Sequence, residues 1–206
     1  YAPVVATVAA RPGCPAMFDG FDTVQVDVGG TTIFARRKGD GRPLLLLHGG
    51  MGDLDSWTEQ RAAFRQRYRV VTFSRRHSSP NRNPPPVGHS IDIDVADLQA
   101  VMQRLQTGPA HLVGTSYGAS LALAFALRHR AQVRSLVLAE PPLHRWACRT
   151  PEGESLFTAF IDEAWHPAAE AFVQGDARRA LQLLTDGIWG QALFDTLPPQ
   201  RIARAL

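Results

Sequence analysis

Lysine is nearly absent from this sequence: Lys38 is the only one, and every other member of the 22 basic residues is arginine. The net charge is only +3, the arginines are scattered, and the densest basic run is Arg75-Arg76-His77. A nucleic-acid surface needs clustered basic residues with interleaved aromatics on one face. No nucleic-acid partner is expected, and the arginine excess reads as coding bias. Cysteine is scarce, Cys14 and Cys148 only. There is no CxxC and no metal-ligand spacing, so no metal site is expected, while a disulfide and two lone thiols both stay open. No apolar run approaches the roughly 18 residues of a membrane span, so no membrane is expected as a partner. The longest, Pro43–Leu47 and Ser120–Leu127, suit a strand and a core helix. What is present, 45% hydrophobic and 20% charged residues over 206 positions, is the make-up of one globular domain or a core plus an excursion. The sequence begins at Tyr1, and its small apolar start lacks a basic leader region. A leader remnant and added sequence both stay open, which leaves localisation open with a lean to the cytoplasm.

Positions 1–20 carry Pro3, Gly13, Pro15 and Gly20 without periodicity and read as an irregular arm. Thr23–Val28 alternates and, across Gly29-Gly30, pairs with Thr31–Arg36 as a hairpin. Leu44–Leu47 and Val70–Phe73 are unbroken apolar runs, as strands buried on both faces are. Between them Asp53–Tyr68 reads as loop then helix, with Trp57, Phe64 and Tyr68 at helical spacing. The prolines and asparagines of Arg75–Ser90 bar regular structure. Ile91–Leu105 returns to helix with Ser90 as its N-cap. His111–Gly114 and Val133–Ala139 are strands flanking a helix over Gly118–His129. Strands alternating with helices argue for a mostly parallel sheet covered on both faces. From 152 onward the texture changes to helix alone, near Glu154–Trp165, Ala168–Val173, Ala177–Trp189 and Pro199–Leu206.

The strongest local signal is Gly114-Thr115-Ser116-Tyr117-Gly118. A G-x-S-x-G is weak alone, but this one follows an apolar strand and opens an apolar helix, the setting of a nucleophile elbow. Glycines two residues either side of the serine avoid collision with the neighbouring strand and helix. The serine is then exposed at the strand end, against the positive terminus of a helix. The plainer alternative is a glycine turn. His48-Gly49-Gly50-Met51-Gly52 directly follows a buried strand. Its amides at Gly50 and Met51, with that of Tyr117, are placed to hold a developing oxyanion.

With these residues the chain resembles the α/β-hydrolase superfamily from about Thr23 to its end. The match rests on the His-Gly-Gly loop, the elbow, and the run Leu136-Val137-Leu138-Ala139-Glu140-Pro141-Pro142. Ser74-Arg75-Arg76-His77-Ser78-Ser79-Pro80-Asn81 departs from the usual Asp-x-Arg-Gly-x-Gly-x-Ser loop and is similar to a variant with Arg-Tyr-His-x-Pro-Asn. The resemblance implies an α/β fold with a core over 21–150 and a helical cap over 151–206, packed over the carboxyl edge of the sheet. It implies a serine hydrolase acting on a carboxylic ester or related acyl compound, with Ser116 as nucleophile and no cofactor. The substrate is a small molecule, and the aromatics of the tail favour one with a hydrophobic group. A serine at the elbow argues against dehalogenase or epoxide-hydrolase chemistry, which uses aspartate there.

In that family the acid and then the histidine follow the serine on later strands, and no strand is read beyond Ala139 here. The last core strands are thus expected to be absent from these 206 residues. A longer gene product, a natural short variant and a chain that has lost catalysis all stay open. An incomplete sheet edge would favour self-association. Glu140, ending the sixth strand, sits where some members, haloalkane dehalogenases among them, keep their acid; a carboxylate pairing with a nearby loop is the alternative. His77 and His144 are candidates for a substitute base, though each reads more readily as a loop or surface residue. His48 reads as part of the oxyanion loop, and His89, His111, His129 and His166 as structural. Asp92, Asp94 and Asp97 resemble a metal comb but sit at a helix start, where the dipole favours carboxylates. The other functional reading is a non-catalytic module that binds a small ligand or a partner chain.

Overall fold

The structure, a computed structural model, describes residues 20–84, 88–190, 192–199 and 202–203. The expected N-terminal arm, save Gly20, lies outside them, as do Cys14 and most of the expected helix Pro199–Leu206. Contacts divide the chain between Pro142 and Leu143 into two units.

The first unit is built on a six-stranded sheet in the order β1-β2-β4-β3-β5-β6. β1 (Asp22–Val28) and β2 (Thr31–Lys38) form the expected hairpin, with Gly29 and Gly30 both at positive φ in its turn. Positive φ at both central residues matches the twist of the strands and favours glycine there. β4 (Tyr68–Phe73) joins β2 antiparallel and β3 (Arg42–Leu47) parallel. β5 (Ala110–Thr115) and β6 (Val133–Ala139) continue the parallel part. β3 is central, and its leucines alternate between two cores. Leu44 and Leu46 meet Val70 and Trp57 on one face. Leu45 and Leu47 join Val71, Phe73, Leu98, Leu121 and Phe125 on the other. The unbroken apolar run thus reflects burial on both faces.

The helices follow from the same patterning. α1 (Thr58–Phe64) is shorter than the spacing suggested, because Tyr68 opens β4 and Trp57 precedes the helix. α2 (Ile91–Arg104) and α3 (Tyr117–Arg128) bury Val95, Leu98, Val101, Leu121 and Phe125 in the larger core. Ser90 occupies the N-cap of α2 with extended backbone, but its side chain accepts no capping hydrogen bond. β6 is the far edge of the sheet among the described strands; Leu136 and Leu138 pack inward while Val137 is exposed.

The second unit is helical, with no strand among its described residues: α4 (His144–Ala147), α5 (Pro151–Phe160), α6 (His166–Val173), α7 (Ala177–Trp189) and α8 (Leu193–Thr196). The helix expected at Glu154–Trp165 starts earlier. Thr150 accepts the Gly153 amide and Pro151 sits at the first helical position, both strong start signals. A π-helical turn, Ile161–Trp165, then links α5 to α6. Ala168, Ala171 and Ala180 form the close contact of α6 with α7, with Leu183 and Leu184 beside them. Cys148 carries a half-buried free thiol.

Candidate active site

β5 ends at Thr115 and α3 begins at Tyr117, so Ser116 alone makes the turn. Its backbone has φ 51 and ψ −123, a conformation L-residues avoid. Such strain, of order 1–3 kcal/mol, persists only where surrounding structure enforces it. The enforcement comes from two sides. The Ser116 amide donates to Ala139 O at 2.8 Å, tying the turn to the end of β6. The Ala119 and Ser120 amides donate back to Ser116 O. The flanking glycines act separately. A Cβ on Gly114 would lie 2.3 Å from Gly118 O, and a Cβ on Gly118 would lie 2.2 Å from Leu47 O. The first lets the helix start fold back on its own strand; the second lets it approach β3. Ser116 is exposed, and the Tyr117 and Gly118 amides have no partner among the described residues, as expected at a helix N-terminus.

The loop after β3 comes against this turn. A Cβ on Gly49 would lie 3.4 Å from Ser116 Cβ. The loop closes on itself through the Gly52 amide donating to Gly49 O at 3.2 Å. His48, 1% exposed, lies beneath it. Its Nδ1–H donates to Gly49 O at 2.8 Å, and its Nε2 accepts the Arg75 amide at 3.0 Å. Accepting at Nε2 requires the neutral ring. Burial, reinforced by the Arg75 charge, pushes the His48 pKa down to about 4. His48 is therefore a neutral brace and not a base.

A pH dependence follows. A folded-state pKa near 4 lies below the unfolded 6.5, so His48 contributes stability that is complete above 6.5 and is lost as pH falls to about 4. The shift corresponds to roughly 3 kcal/mol. Urea unfolding is expected to show that much extra loss on acidification relative to His48→Gln. Equal acid sensitivity in the two proteins would sink this assignment.

The loop after β4 holds both arginines of the Arg-Arg-His run. The Arg75 guanidinium donates to Gly49 O at 3.3 Å and Gly50 O at 3.0 Å, and lies 4.5 Å over the Tyr117 ring. The Tyr117 hydroxyl donates to Asp94 Oδ2 at 2.7 Å, which also meets His89 Nε2 at 3.0 Å and Arg75 at 3.9 Å. Burial and then the Asp94 hydrogen bond push the Tyr117 phenol upward, so it stays a donor. Arg76 grips Asp97 with Nε at 2.7 Å and the terminal nitrogen at 2.5 Å. Asn81 and Asn83 stitch the same loop to β2, accepting the Phe34 and Thr32 amides at 2.9 and 3.2 Å. That is a physical role for the Pro-Asn element: the front of β2 extends past β4 and finds side-chain partners instead.

The aspartate cluster is thereby explained, and differently from a dipole effect alone. Asp92 is exposed and pairs with Arg128, whereas Asp94 and Asp97 are buried and bind the loop. No group of three or more metal-ligating side chains occurs among the described residues. Sequence reasoning missed Arg75, Asp94 and the Tyr117 side chain as parts of the site. The available signal was two carboxylates three residues apart on the buried face of α2, which require polar partners.

Among the expected site residues, Ser116, Gly50, Met51 and Tyr117 fall at one end of the sheet. Glu140 follows β6 at the same end, one residue past the Ala139 carbonyl that holds Ser116. It too has positive φ, 51, and is exposed. Among the described residues of the first unit no histidine is hydrogen-bonded to Ser116: His77 and His89 stack edge-to-face at 5.7 Å and His111 meets Ser135 at 2.7 Å. His144 packs on Phe157 in the second unit. A shallow depression lined by Asp22, Arg37, Lys38, Asp40, Arg65 and Arg69 lies at the opposite end of the sheet. No helix among the described residues is long and apolar enough to cross a membrane.

A mostly parallel sheet covered on both faces, with a strained serine between strand and helix and a glycine loop against it, defines the α/β-hydrolase class of architecture. The family model for the alpha/beta hydrolase fold matches residues 42–195, and the chain belongs to that family. It is 32% identical over 119 residues to the uncharacterized hydrolase YraK of Bacillus subtilis (strain 168), covering 57% of this chain and 44% of that protein. It is 36% identical over 130 residues to a non-heme haloperoxidase of Rhodococcus erythropolis, covering 60% and 46%. An alpha/beta hydrolase from Sphaerobacter thermophilus DSM 20745 shares the fold at 20% identity with TM-score 0.62, over 89% of this chain and 64% of that one. The chain thus spans less than half the length of these two sequence relatives.

Proposed function

We propose that this chain carries the nucleophile and oxyanion site of a serine hydrolase acting on a small carboxylic ester or related acyl compound. One observation carries the reading: Ser116 is exposed at φ 51, on a strand-to-helix turn whose two glycines admit no side chain, with Gly49 against it. In the reaction Ser116 Oγ attacks the carbonyl carbon and its proton passes to a base. The oxygen's developing charge is held by the amides of Gly50, Met51 and Tyr117, and the alcohol leaves with a proton. Water then releases the acid from the acyl-serine. Glu140 is the candidate acid, supported by its place beside the turn. The preference for a hydrophobic group rests on the aromatic content of the helical tail. No cofactor enters these steps.

The second reading, a non-catalytic module binding a small ligand, is favoured by one observation: among the described residues of the first unit, no histidine is hydrogen-bonded to Ser116. Fluorophosphonate labelling separates the two. A single adduct on Ser116, absent in Ser116→Ala, is the expected result. Folded protein that takes no label, and hydrolyses p-nitrophenyl butyrate no faster than Ser116→Ala, would end the hydrolase reading for this chain.

A further inference from the structure

We propose that Arg75 is a positioning residue that aligns both halves of the oxyanion site, with Asp94 and the Tyr117 side chain as its seat. The inference rests on the serine-hydrolase reading and adds a residue to it. In a trans peptide the C=O and the following N–H point in opposite directions. Arg75 holds Gly49 O and Gly50 O on its own side. The amides of Gly50 and Met51 are therefore turned away from Arg75, and neither has a partner among the described residues. The remaining donor, the Tyr117 amide, belongs to the residue whose ring lies under the same guanidinium. One side chain thus fixes the loop after β3 against the turn before α3.

The seat is built to hold that guanidinium still. The Tyr117 ring offers its face to the cation, and its hydroxyl is anchored on Asp94, which is 1% exposed. The Asp94 carboxylate in turn faces Arg75 at 3.9 Å and balances its charge. Stacking on the ring while one terminal nitrogen bridges two carbonyls is a task for a planar guanidinium that an ammonium performs only in part. The Arg75 main-chain amide bonds His48 Nε2 independently of the side chain. Side-chain variants therefore keep the end of β4 in place.

The test compares Arg75→Met, Arg75→Lys and Asp94→Asn in the full chain. The first readout is the backbone order parameter of Gly50 and Met51 by NMR. Values near 0.85 in the parent are expected to fall below about 0.6 in Arg75→Met, with β3 and β5 unchanged and Arg75→Lys between. The second readout is Ser116-dependent turnover of p-nitrophenyl butyrate. In Arg75→Met, kcat is expected to fall about 10- to 100-fold with KM within about twofold, since the oxyanion contact is made in the transition state. Asp94→Asn should shift both readouts in the same direction by less. Unchanged order at Gly50 and Met51 in Arg75→Met overturns the proposal, as does a loosened loop with kcat intact. A parent no more active than Ser116→Ala would defeat the serine-hydrolase reading instead, and the order parameters then decide the role of Arg75 alone.

Discussion

Replacing Gly118 by alanine is expected to destabilise the protein by at least about 3 kcal/mol and to remove labelling at Ser116. In an exposed helix interior the same change would help by nearly 1 kcal/mol, because alanine has the better helix propensity. Here propensity loses to packing. The new Cβ would lie 2.2 Å from Leu47 O and 2.6 Å from His48 O, main-chain atoms at the end of the central strand. Neither atom can rotate away as a side chain would, so α3 must move or β3 must bend. Overpacking a well-filled core typically costs 1–3 kcal/mol, and more where backbone is the obstacle. Moving α3 also carries Ser116 and the Tyr117 amide away from the Gly49–Met51 loop, so reactivity and stability fall together. Gly50→Ala is the matched control. No atom lies within 4 Å of its Cβ position, and its stability should change by less than about 0.5 kcal/mol. Urea unfolding followed by circular dichroism gives both numbers. A Gly118→Ala protein within 1 kcal/mol of the parent, and still labelled, would contradict the packing described for the turn.

Arg76→Ala is expected to cost about 3–5 kcal/mol, the range for breaking a buried pair from one side. Asp97 is 2% exposed and its hydrogen bonds go to Arg76 alone among the described residues. Removing the guanidinium leaves a carboxylate on the core face of α2 without its donor. The Arg76 side chain is 23% exposed, so deleting Asp97 instead leaves a cation that water can reach. Asp97→Ala should accordingly cost less. Arg76→Lys keeps the charge but not the two-pronged contact and should fall between the parent and Arg76→Ala. In Arg76→Ala/Asp97→Ala the loss should be smaller than the two single losses added, because the stranded carboxylate is gone. Equal costs for the two single alanine variants would show that the pair is not asymmetrically buried.

Much of the first unit was legible in the sequence because its signals are local. Alternation at Val24, Val26, Ile33 and Ala35 marks one buried face of a hairpin, and Gly29-Gly30 its turn. The Leu44–Leu47 run marks a strand between two cores. The elbow was legible for the same reason: Gly114, Ser116 and Gly118 are adjacent in sequence, and steric demands over five residues leave few alternatives. Element ends were less legible. Thr150 and Pro151 started α5 before the apolar periodicity did, and Tyr68, apolar at helical spacing, went into β4 because Arg42–Leu47 offered it a partner strand.

Tertiary structure alone decided the wiring behind the site. Arg75 and Gly50 are distant in sequence, as are Tyr117 and Asp94, and no local signal says which of these residues would meet. An arginine among scattered arginines and an aspartate at a helix start each have an ordinary reading on the surface. Their role is set by burial, which depends on how α2 and the loop after β4 come to lie beside β3 and α3. Desolvation then favours the arrangement in which buried charges and hydrogen-bonding groups face partners. The sheet, its glycine turn and the exposed serine follow from local signals, since backbone sterics and apolar spacing act over a few residues. The partners of Arg75, Asp94, Asp97 and His48 were decided only by folding, since they come from segments far apart in the chain.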